Sequence, residues 1–194
     1  MNTLIKSMEA EFRRYKTMAE GALSQVAEPQ LSAPGPGNGN SLVIICRHIA
    51  GNLRSRFTEF LTSDGEKPWR HREEEFAARE VSREELLAEW KAGWDPLLTT
   101  LAGLTDAGLA QVVTIRGQPL AVHEALLRSL AHLSYHVGQI VYLAHSLCGP
   151  GWQYLSIPPG GSAAYNANPV YEKPLAQAEA IAGRSAKAGG SPAA

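Results

Sequence analysis

The sequence predicts an all-α fold, a four-helix bundle. Two observations carry that expectation. Four long segments repeat apolar residues at three- and four-residue intervals, and no strand-rich region lies between them. With 194 residues and 44% hydrophobic content, the chain is long and apolar enough for one packed domain.

The first helix is expected at 2–25, where Leu4, Met8, Phe12, Tyr15, Met18 and Ala22 form one stripe. A linker follows at 27–40, because its Pro-Gly-Pro-Gly-Asn-Gly run cannot sustain a helix. Asn40 or Ser41 caps the second helix, expected to run to about Leu61, with a turn at Thr62-Ser63-Asp64-Gly65. Residues 66–79 read as a long charged loop containing at most a helical turn. Within it, Arg70-His71-Arg72 is followed by Glu73-Glu74-Glu75 and is expected to be a solvated, self-neutralising face.

Ser82 with Glu85 three residues on is a capping box, opening a third helix at 82–101 that Pro96 should kink or divide. The β-branched run Val112-Val113-Thr114-Ile115 before Arg116-Gly117 fits either a small hairpin or an extended connector. The fourth helix is expected at 122–147. Beyond it, 152–171 is rich in Pro, Gly, Ser and Asn. A short helix near 175–182 and a tail without fixed structure end the chain, so the domain is expected over 1–172.

The fourth helix carries the chemistry. His132 and His136 lie about 40° apart on its surface, close enough to share one metal ion, and Gln139 falls about 20° to the other side of His132. His48, in an apolar stretch of the second helix, could face them inside a bundle and leave a fourth coordination position open. Spacing alone equally allows three core histidines satisfied by hydrogen bonds. His123 and His145 sit about half a turn from the pair and should point elsewhere.

A ferritin-like di-iron centre needs Glu-x-x-His motifs, which are absent, as is His-Glu-x-x-His. Two cysteines, Cys46 and Cys148, form no CxxC, which argues against a cysteine zinc site or a disulfide framework. No apolar run approaches the roughly 20 residues of a membrane span, and charge appears too early for a signal peptide, so a cytoplasmic protein without membrane association is expected. A net charge of −1 gives no reason to expect nucleic-acid binding.

A histidine in helix two followed by His132-x-x-x-His136-x-x-Gln139-Ile140 resembles the DinB/YfiT-like superfamily of metal-binding bundles. So do His48-Ile49-Ala50-Gly51-Asn52-Leu53-Arg54-Ser55-Arg56, Phe60-Leu61-Thr62-Ser63-Asp64-Gly65-Glu66-Lys67-Pro68-Trp69-Arg70 and Leu155-Ser156-Ile157-Pro158-Pro159-Gly160-Gly161-Ser162, which resemble an uncharacterised DinB-like subfamily over about residues 1–170. The resemblance implies one divalent metal, zinc or nickel, held by His48, His132 and His136. The wider superfamily includes thiol-dependent S-transferases, which implies thiol transfer with a low-molecular-weight thiol as partner, while an open metal position would also serve hydrolysis of a small molecule. The alternative is a metal- or ligand-binding stress or regulatory protein without turnover.

Gln139, Asn52, Arg56, Tyr165 and Asn166 are the candidates for supporting the ligands or touching substrate. The segments 64–72 and 152–168, long and aromatic-bearing, are expected to wall the pocket. Trp69, Trp90 and Trp94 exceed the obvious needs of one small core, and a homodimer contact is expected to take some of them.

Overall fold

The computed structural model describes residues 2–188, with side chains to 184. The described chain is mostly helical. Its long helices are α1 (Thr3–Leu23), α2 (Leu42–Phe57), α3 (Arg83–Gly103) and α4 (Val122–Cys148). Between α3 and α4, β1 (Val112–Ile115) and β2 (Gln118–Ala121) pair as an antiparallel hairpin, so of the two readings of this stretch the hairpin is the right one. A short α5 (Ser162–Ala167) and a longer α6 (Pro174–Ala188) follow. The last helix thus runs further than the expected 175–182, and residues 189–194, which end the expected tail, lie outside the described residues.

Local chemistry sets the boundaries. Ser41 Oγ accepts from the Ile44 N–H at 3.2 Å to start α2. The Ser82/Glu85 capping box starts α3, and Glu124 accepts from the Ala121 N–H at 2.7 Å to start α4. Helix α2 ends at Phe57, not near Leu61, because Thr58 turns extended and Glu59 adopts φ 50°. The Phe60 ring then folds back against Phe57 at 5.1 Å, which satisfies its apolar character outside the helix. Pro96 does not divide α3: buried Trp94, Leu97 and Leu101 anchor the helix on both sides of it. The linker after α1 contains no α-helix, yet it makes single 3-10 turns at Glu28–Gln30 and Pro36–Asn38.

Helix directions follow from contacts at their ends. Asp106, just before β1, accepts from the Leu4 and Ile5 N–H groups, and Cys148 donates to the Gln25 carbonyl, so α1 and α4 run parallel. Arg47 pairs with Glu89, and Thr100 donates to the Phe57 carbonyl, so α2 and α3 also run parallel. Helix α1 packs on both α4 and α6, while α2 packs on both α3 and α4. Two parallel neighbours in succession require the intervening chain, 58–82, to travel back along the helices. That return path is why this connection is long, and it passes over the face of α2 that carries His48.

The core lies between these four helices, with α6 adding Ile181 and β1 adding Val113 and Ile115. Trp90 and Trp94 belong to it, at 1% and 0% exposure, so these two of the three tryptophans offered for a homodimer contact are buried within the chain. Their apolar area is used within the chain, so only Trp69 remains outside, 43% exposed beneath the Arg54 guanidinium. Close packing of α2 on α3 depends on Gly93, where a Cβ would collide with the Ala50 backbone. Among the described residues, no helix is long and apolar enough to cross a membrane.

Candidate metal centre

His48 reaches the centre from α2, and His132 with His136 from α4, as the helical spacing predicts. All three point their Nε2 atoms inward. His132 Nε2 lies 3.3 Å from His48 Nε2 and 3.1 Å from His136 Nε2, and one ligand atom from each residue falls within 4.8 Å of the others. Zinc–nitrogen bonds of about 2.0–2.1 Å at tetrahedral angles place neighbouring ligand nitrogens about 3.3 Å apart. The three histidines therefore form a group that could hold a metal ion.

Their other ring nitrogens fix which lone pairs face inward. His48 Nδ1 is 2.9 Å from Glu75 Oε2. Glu75 is buried, which works against its charge, but hydrogen bonds from His48 and Arg70 outweigh burial and hold its carboxyl below the usual range. An ionised carboxylate only accepts, so His48 Nδ1 carries a proton, and in the neutral ring Nε2 is then the lone pair that faces the centre. His136 Nδ1 likewise donates to Gln139 Oε1 at 2.7 Å, leaving a second lone pair on its Nε2. A neutral His132 can donate to only one of these two. His132 is neutral at pH 7, because burial first, then the neighbouring His136, His48, Arg70 and Arg56, push its pKa down to about 4. Burial also lowers His136. More lone pairs converge than protein donors can satisfy, and a cation is the group that would satisfy them.

The support for His48 is the feature that residue patterns concealed. Glu75 and Arg70 are not a solvated face. They lie on the single 3-10 turn Arg72–Phe76 and just before it, and the Arg70 side chain is 3% exposed. Arg70 grips Glu75 with Nε at 2.8 Å and Nη2 at 2.9 Å, a bidentate pair that compensates burial of both charges. The Glu75 carboxylate lies across Gly51, one turn beyond His48, where any Cβ would occupy its place. A glycine inside a buried helix near a candidate ligand was the available signal.

A cavity of about 210 Å³ adjoins the histidines. His48 and His132 form part of its wall, with Asn52 and Arg56 from α2 and Ser129 from α4. The 64–72 segment contributes Arg70 and Arg72, partly meeting the expectation that it walls the pocket. The other expected wall does not: no residue of 152–168 lines this cavity. Tyr165 instead donates to Glu172 at 2.7 Å and stacks on Tyr171, and Asn166 shares its short helix. The path of the chain after α4 accounts for this. Cys148 and Gln153 both meet Gln25 at the end of α1, away from the middle of α4 where the histidines sit. His123 bonds the Leu109 carbonyl and His145 stacks on Trp152, both outside the centre as their phase predicts.

With this geometry in view, a comparison with protein families finds one whose sequence pattern matches residues 1–161, described as "Protein of unknown function (DUF1572)". The chain belongs to this DUF1572 family. No curated protein and no solved structure matches it. The chemistry of this DUF1572 member is therefore argued from its own side chains.

Proposed function

We propose that this DUF1572 protein is a DinB/YfiT-like four-helix bundle that binds one divalent metal ion, zinc or nickel, and uses it for thiol transfer or hydrolysis on a small molecule. The observation that carries the proposal is the convergence of three Nε2 atoms, two of them with Nδ1 already committed to Glu75 and Gln139. Three neutral imidazoles leave a bound cation its full charge and an open position, the arrangement of catalytic rather than structural sites. When bound, the ion would supply Lewis acidity, favouring the thiolate form of a thiol or lowering the pKa of water.

The chain's own residues do the rest. Glu75 and Gln139 orient the two imidazoles and raise their basicity. Arg70 keeps Glu75 ionised and fixed. Phe76, 4.9 Å from the His48 ring, screens that histidine from water. Cys46 is no competitor as a nucleophile, since complete burial pushes its thiol well above the usual range.

Elemental analysis of the purified protein tests the metal. One divalent ion per chain is expected, and His136→Ala should weaken its binding sharply; unchanged stoichiometry and affinity would remove His136 from the ligand set. Steady-state assays of the metal-loaded protein with cellular thiols and a haloaromatic or epoxide acceptor test the transfer. Activity that survives chelation, or none with any thiol while metal is bound, favours a binding protein without turnover.

A further inference from the structure

The cavity beside the histidines is walled by arginines. Arg56, Arg70, Arg72, Arg116 and Arg128 all line it, and no aspartate or glutamate does. Three carboxylates stand behind them. Glu66 is shared by Arg56 and Arg116, Glu75 is held by Arg70, and Glu73 pairs with Arg72. Four guanidiniums thus divide three carboxylates. The fifth, Arg128, has no hydrogen-bond or ion-pair partner among the described residues. Two Arg56 neighbours, Arg70 and Arg116, add like-charge repulsion to the burial that lowers its pKa. The cavity wall therefore carries an excess of positive charge.

A second observation points to a ligand independently. Ser129 is 8% exposed, lines the same cavity, and its Oγ has no hydrogen-bond partner. A buried hydroxyl left unpaired is costly and needs an explanation. It lies one turn before His132 on α4, and Arg128 lines the same cavity.

The third observation is backbone cost. Arg116 and Gly117 are the central pair of the β1–β2 turn, at φ 56° and 71°. Such a turn favours Asn-Gly, and arginine is strained there. The Arg116 side chain lies on the cavity wall, its Nε donating to Glu66 at 2.9 Å.

We propose that this cavity binds a compact molecule bearing a carboxylate or other oxyanion, its acidic end held by Arg128, Arg116 and Ser129 and its other end turned toward His48 and His132. The inference rests on the metal-centre reading only for that orientation. Guanidiniums and a hydroxyl donor match a planar carboxylate or a tetrahedral oxyanion, and offer nothing to a neutral amide that an acid would not receive more strongly. The volume, below the roughly 300–1,000 Å³ of pockets for drug-sized ligands, suits a short-chain acid better than a nucleotide or a peptide.

Calorimetric titration with succinate, sulfate and the neutral isostere succinamide tests this, on zinc-loaded and metal-free protein in parallel. Succinate should bind and succinamide should not. Arg128→Gln should weaken succinate at least tenfold with zinc stoichiometry and melting temperature unchanged, since the exposed Arg128 supports nothing in the fold; Ser129→Ala should weaken it less. Succinate and succinamide binding alike, or Arg128→Gln binding succinate as the parent does, overturns the proposal. If zinc binds but no anion does, the substrate class falls and the metal centre stands. If zinc fails to bind, the metal reading falls, and the succinate–succinamide difference on the metal-free protein still decides the anion site.

Discussion

At the scale of single residues, Glu75 is the most informative side chain. It links a candidate ligand, His48, to a buried arginine, and its removal strands both. Glu75→Gln should cost about 10–100-fold in zinc affinity, the usual effect of losing a partner that orients a metal-bound imidazole. A competitive chelator titration measures it, and an unchanged affinity would show that His48 needs no such support. Gly51→Ala should act the same way while leaving every charge in place, because the new Cβ takes the space of the Glu75 carboxylate. The histidines themselves were readable from spacing. Glu75 was not, because a run of like and unlike charges ordinarily marks a solvated face, and only the folded loop brings that carboxylate under cover.

At the scale of elements, two joints decide how the site is held. The first is Asp64, which ties the 58–82 connection to the hairpin. Its Oδ1 accepts from the Glu66 and Arg116 N–H groups at 2.7 and 2.8 Å, and Oδ2 from Gly117 at 2.7 Å. The Glu66 N–H above all, then Gly117 and Arg116, hold this carboxyl well below its ordinary value of 3.8. A group whose folded pKa is depressed contributes stability in full above its unfolded value and loses it as pH falls toward the folded one. The melting temperature should therefore drop on Asp64→Ala at neutral pH, and the gap from the parent should narrow as pH falls below about 4. A gap independent of pH would mean that the charge plays no part.

The second joint is the α2–α3 contact at Gly93 and Ala50. Gly93→Ala should cost about 1–3 kcal/mol in chemical denaturation, the range for overpacking a tight core. It should also shift His48, since α2 carries both contacts. Each helix was legible from its periodicity and caps. The end of α2 at Phe57 was not, since Phe60 and Leu61 extend the apolar pattern beyond the helix.

At the scale of the whole molecule, the histidines join two helices far apart in sequence. A metal bound only by the folded state should stabilise it by about 2.7 kcal/mol at a hundredfold excess over Kd. Zinc should accordingly raise the melting temperature of the chelated protein, and the effect should vanish in His48→Ala. A melting temperature indifferent to zinc would separate the centre from the fold. The same architecture removes two tryptophans from the surface. With Trp90 and Trp94 fully buried, a homodimer would rest on other contacts, and Trp69 alone of the three is available for one.

The sequence by itself determined the helical class, the places of the four long helices, the caps of the second and third, and the pairing of His132 with His136 on one helix face. These follow from local chemistry: apolar period, side-chain capping and the angular step of a helix all act within a few residues. Only the tertiary structure decided which charges are buried and what stands opposite them. The 58–82 connection must run back along parallel helices, and in doing so it lays Glu75 over Gly51 and adds Arg70 and Arg72 to the wall that Arg56, Arg116 and Arg128 share. The 152–168 segment leaves from the end of α4 that meets α1, and the same geometry keeps Tyr165 and Asn166 out of that wall. Burial and long-range pairing depend on the path of the whole chain, and no window of neighbouring residues encodes them.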